Sequence, residues 1–178
     1  MDYETNPVSR KKLREFAKLM RKAFGVPLTG KFPVLEMLEK LPDIFPNTSY
    51  TVLPYNCFDA NNPARCILDS YNNFTIEIAE YVYENAYSSN GTNRGACLGF
   101  ICHEMCHVFL YKIGYRPILG RNIILNTSIP CYRSVEWQTK ALAGEVMIPY
   151  DESAGLSTIE IVEKYDVSMS FAIYRQNY

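Results

Sequence analysis

Apolar positions recur at helical spacing through most of this chain. Between Ser9 and Phe24 they fall at Leu13, Phe16, Ala17, Met20 and Phe24. That is one face of a first helix, ended by Gly25 and Pro27. Pro33 to Leu41 reads as a second, shorter helix, closed by Pro42. The pattern then changes to strands. Ser49 to Leu53 alternates up to Pro54, Ala64 to Tyr71 is an apolar run bounded by asparagines, and Thr75 to Tyr83 alternates again. A turn-rich loop, Ser88 to Asn93, leads back to helical spacing at Phe100, Ile101, Met105, Val108, Phe109 and Ile113, with Gly114 as terminator. Ile123 to Leu125 is expected to be a short strand. Ser134 is a good N-cap for a helix to about Ile148, stopped by Pro149. Gly144 within it is explained by close approach of a neighbouring backbone. Ser157-Thr158-Ile159-Glu160 is a capping box, and Ser168 caps a last helix.

These elements predict an α+β protein. About three strands form a small sheet beside the Phe100–Ile113 helix. Residues 1–150 are expected to form the main domain, and 151–178 a helical, helix-turn-helix-like tail packed on it.

Composition narrows the partners. The 178 residues are 48% hydrophobic and 21% charged, with a formal net charge of −1. No global basic field favours nucleic acid. The basic residues of the first helix, Arg10, Lys11, Lys12, Arg14, Lys18, Arg21 and Lys22, read as a solvated face. The tail carries only Lys164 and Arg175, so direct DNA binding is not expected. No apolar run suits a membrane span and the start of the chain does not read as a signal peptide; the expectation is a cytoplasmic protein. The six cysteines show no framework spacing and read as free thiols.

The chemistry lies in His103-Glu104-Met105-Cys106-His107, which holds both histidines of the chain. Four residues apart on a helix, the two imidazoles lie on one face and close on one ion. A catalytic zinc keeps three protein ligands and an open fourth position. With no third histidine, the remaining ligand is a carboxylate or thiolate. Glu136, in the first turn of the next long helix, is the best candidate, and Glu145 the runner-up. Such an ion brings the pKa of bound water toward about 7. Glu104 then serves as general base and later passes the proton to a leaving amine. That is peptide hydrolysis, with the substrate added as a strand on a free sheet edge. Oxyanion donors are Tyr111, Tyr132 and Arg133; the sequence does not choose among them. Cys102 and Cys106, roughly 100° round the helix from the histidines, read as small core residues.

The motif, followed by Tyr132-Arg133-Ser134-Val135-Glu136-Trp137-Gln138 and by Ala141 to Pro149, resembles the ImmA/IrrE metallopeptidases. The likeness covers roughly residues 74–149. It departs at Cys106, where the family often has Gly, and at Gln138-Thr139-Lys140 in place of the common E-A-N. The resemblance implies a zincin-like domain with one zinc on His103, His107 and Glu136. It also implies a helix-turn-helix repressor as protein substrate, whose cleavage derepresses mobile-element, prophage or stress genes. The competing reading is an antirepressor that displaces its partner without cutting, its metal structural or sensory. Oligomeric state is not legible.

Overall fold

The computed structural model describes residues 2–59, 61–118 and 129–177. The expected strand at Ile123–Leu125 lies outside them. Among the described residues the chain forms eight α-helices and one three-stranded sheet, an α+β arrangement.

Helix α1, Arg10–Ala23, starts where Ser9 accepts the Lys12 N–H and ends at Gly25, whose φ of 69° suits glycine. Its Leu13, Phe16, Ala17 and Met20 are buried as the spacing requires. The basic face is only partly solvated. Arg10 and Arg14 pair with Glu145, Lys18 with Asp151 and Lys12 with Glu15. Arg21 is 1% exposed, and its guanidinium donates to the carbonyls of Val146, Pro27, Thr29 and Gly30. A buried cation persists when every donor is satisfied.

Helix α2, Val34–Ile44, does not stop at Pro42, which sits inside its last turn. Strands β1, Thr48–Leu53, β2, Ala64–Leu68, and β3, Phe74–Ala79, form a sheet of order β1-β3-β2. β1 runs parallel to β3, and β2 antiparallel. The third expected strand ends early: from Glu80 to Tyr87 the chain is helix α3, burying Val82 and Ala86. Those two residues are four apart, so the same residues that alternate also satisfy a helical face.

Helix α4, Arg94–Lys112, carries the histidine motif and is the centre of the core. Ile101, Met105, Val108 and Phe109 are buried, as are Cys102 and Cys106, both without exposure. Phe100 departs from expectation: it is 41% exposed. Helix α5, Val135–Met147, packs across α4, its N-terminus capped by Ser134. Gly144 is not under a neighbouring backbone; a Cβ there would meet the Arg175 side chain at an ordinary 3.8 Å.

A short helix α6, Tyr150–Ser153, leads to α7, Thr158–Tyr165, and α8, Met169–Gln176. The capping box at Ser157 and Glu160 forms, and Asp166 turns the chain at φ 56°. The tail seats on the rest through Ile161, Tyr165, Val167 and Ala172. Arg175 donates to Glu145 and to the Ile148 carbonyl. No helix is long and apolar enough to cross a membrane among the described residues.

Candidate metal centre

One turn of α4 stacks His103 over His107, with ring centroids 4.8 Å apart and planes at 82°. Their Nε2 atoms approach to 3.1 Å. The first turn of α5 brings in Glu136, one oxygen 3.2 Å from His103 Nε2 and the other 3.6 Å from His107 Nε2. The three side chains form a possible metal-binding triad, their ligand atoms all within 4.8 Å. The spacing fits an ion. Bonds of about 2.0–2.1 Å in a tetrahedron set neighbouring ligand atoms about 3.3 Å apart. Two imidazoles and a carboxylate are also the donor set that zinc takes. Contact with both imidazoles holds the Glu136 carboxyl far below the usual carboxylate range.

Thr139 orients this donor set. Its hydroxyl donates to the Val135 carbonyl at 2.8 Å and lies 3.3 Å from His107 Nδ1. A hydroxyl has one proton. With that proton on Val135, Oγ1 accepts from Nδ1–H, which leaves the lone pair on Nε2, facing Glu136 and His103. The start of α5 is fixed from the other side by Asp2. Its carboxylate accepts the Ser134 hydroxyl at 2.6 Å and the Glu136 N–H at 3.1 Å.

Glu104 is 8% exposed beside the triad. Burial pushes its carboxyl up to about 7; His103 and the facing backbone of Cys66 pull it down, while the Glu136 charge pushes it up. A base with a pKa near neutrality is suited to both halves of a proton transfer.

These groups line a cleft of about 950 Å³ whose far wall is β2, one of the sheet's two edge strands. The Ala79 N–H bonds to the Pro63 carbonyl and the Asp69 N–H to the Asn73 carbonyl. By the alternation of an antiparallel ladder, Arg65 and Ile67 then bond to β3. Ala64, Cys66 and Leu68 turn their main-chain groups to the open edge, and all three line the cleft. The Cys66 thiol sits beside Glu104, and its burial raises its pKa strongly.

Glu145 is not at the centre; it is clamped by Arg10, Arg14 and Arg175. Of the oxyanion candidates, Tyr132 is 50% exposed and outside the cleft wall, and Arg133 is paired with Glu4. Tyr111 lines the cleft, its hydroxyl 3.3 Å from Asn72 Oδ1, and Tyr115 lines it too. Thr139, Asp2 and the Cys66 backbone carry no motif, so sequence reasoning missed them. Only the position of Thr139, one turn after Glu136, hinted at a shared face.

Neither protein-family models nor curated proteins match this chain.

Proposed function

We propose that the chain is a zinc-dependent endopeptidase that cuts a partner helix-turn-helix repressor and so releases the genes the repressor silences. The observation that carries the reading is the meeting of His103, His107 and Glu136 from two helices, with the buried Glu104 beside them. A zinc ion held by the three side chains would polarise the scissile carbonyl and make water nucleophilic at neutral pH.

The protein's own groups do the rest. Glu104 accepts the proton of the attacking water and returns it to the leaving amine. Thr139 keeps His107 in the tautomer that ligates. The edge of β2 binds the substrate main chain as an added strand, its outward-facing groups at Ala64 and Leu68 holding the peptide along the cleft. The repressor as substrate follows from the resemblance of the motif and the Glu136 block to the ImmA/IrrE metallopeptidases.

The test is a 1:1 incubation of zinc-loaded protein with a helix-turn-helix repressor from an adjacent gene, if one exists, read by mass spectrometry. Defined fragments with the wild type and none with Glu104→Gln are expected. Repressor release that persists in Glu104→Gln without fragments would instead mark an antirepressor that works by binding.

A further inference from the structure

The first N–H groups of a helix have no partner inside it. In α5 the first residues of the chain supply that partner. The Val135 N–H donates to the Tyr3 carbonyl at 2.9 Å, and the Glu136 N–H to the Asp2 carboxylate at 3.1 Å. The Trp137 N–H goes to the Ser134 hydroxyl at 2.9 Å. That hydroxyl has one proton, which it donates to Asp2 at 2.6 Å, leaving a lone pair for Trp137. Asp2 thus settles two of the open groups, Glu136 directly and Trp137 through Ser134. Glu136 is a member of the metal triad.

Residues 2–8 form a strap. The Thr5 and Val8 N–H groups donate to the carbonyls of Arg133 and Tyr132, and the Ile118 N–H donates to the Glu4 carbonyl. The Gln138 amide, on a side chain with no exposure, donates to the carbonyls of Asn6 and Tyr132 at 2.8 Å each. Asp2, Tyr3 and Thr5 line the cleft. Of the strap's apolar side chains only Val8 is buried. A segment held by main-chain bonds with little apolar burial opens locally, without unfolding the rest.

We propose that Asp2 is a positioning residue for the Glu136 ligand, so that docking of the N-terminal strap and binding of the metal reinforce each other. This rests on the metallopeptidase reading for its ion, not for its substrate. With the strap docked, the main chain of Glu136 is fixed where its carboxylate meets His103 and His107. With the strap away, the N–H groups of Val135 and Glu136 lose their partners and the first turn of α5 loosens. An ion that needs Glu136 in place favours the docked strap by the same factor by which the strap favours the ion.

The test uses the full chain and Zn²⁺ in competition with a chelating dye. Asp2→Ala should lower zinc affinity about tenfold, with the metal-free Tm nearly unchanged, since Asp2 is exposed. Asp2→Asn, which keeps an acceptor for the Glu136 N–H, should lose less. The visible absorption of the cobalt-loaded protein, which reports ligand geometry, should change in Asp2→Ala and return toward wild type in Asp2→Asn. Hydrogen exchange reads the linkage from the other end. Zinc should slow exchange of the Thr5 and Val8 N–H groups more than that of the Asp166 N–H in the tail, and Asp2→Ala should abolish the difference. Unchanged zinc affinity and cobalt absorption in Asp2→Ala, or equal slowing at all three N–H groups in the wild type, would overturn the proposal alone. Failure of the wild type to bind zinc would overturn the metallopeptidase reading, and the proposal with it.

Discussion

Glu136 and Glu145 lie on one helix, nine residues apart, and differ in every respect that decides a carboxylate's use. Glu136 stands in the first turn of α5, its side chain 48% exposed, against two imidazoles. Glu145 is two and a half turns on, its side chain 1% exposed, between three arginines. The first has room on its open side for an ion and a substrate. The second is surrounded by fixed cations and joins α1, α5 and α8. Spacing along a helix separates the two faces; only the fold shows which face is the site and which the fastening.

The largest effect is expected from breaking the fastening. Glu145→Ala leaves the guanidinium of Arg175, 4% exposed, facing Arg10 and Arg14 without a counter-charge. Chemical denaturation should show a loss of about 3–5 kcal/mol, with zinc affinity of the folded protein unchanged. Glu136→Ala should do the reverse. Zinc affinity should fall on the order of 10²–10³-fold, about 3–4 kcal/mol, with little change in metal-free stability. Equal effects of both changes on zinc would dissolve the contrast.

A third carboxylate sharpens it. Glu104 is buried with no cation paired to it among the described residues, and its pKa rises from 4.5 to about 7. Between those values the native state holds more protons than the unfolded state, so the metal-free protein loses stability as pH rises through that window. Glu104→Gln removes this dependence. It should be more stable than wild type by up to about 3 kcal/mol above pH 7, and equal to it below about pH 4.5, in urea titrations across pH. A flat difference across that range would contradict the burial argument. The smallest effect is assigned to Thr139→Val, which keeps the shape and removes the acceptor for His107 Nδ1–H. Zinc affinity should fall about 10–100-fold, with Tm nearly unchanged.

Much of this was legible because the signals were local. Ser134, Ser157 and Ser168 cap helices as their positions suggest, and each accepts the expected backbone N–H. His103 and His107 needed only helix geometry, and Glu136 only the start of the next helix. What failed was ambiguous or non-local. Thr75–Tyr83 alternates, yet the residues after Ala79 satisfy helix spacing too, and no side-chain cap marks the change at Glu80. Pro42 falls where a helix should end, but α2 goes on to Ile44. Phe100 is apolar and near the core, and tertiary packing turns it to the cleft. Arg10 and Arg14 looked solvated because their partner is 135 and 131 residues away. The roles of Asp2 and of the Cys66 main chain depend on which strands and loops meet, which no residue type announces.

The proposed peptidase needs a single zinc on two imidazoles and one carboxylate, with a position left for substrate. X-ray absorption of the zinc-loaded protein reads that set directly. The expected spectrum is one nitrogen and oxygen shell at about 2.0–2.1 Å with outer scattering from two imidazoles. A sulfur shell at about 2.3 Å, which would bring in a thiol such as Cys66, or scattering from fewer than two imidazoles, would contradict it.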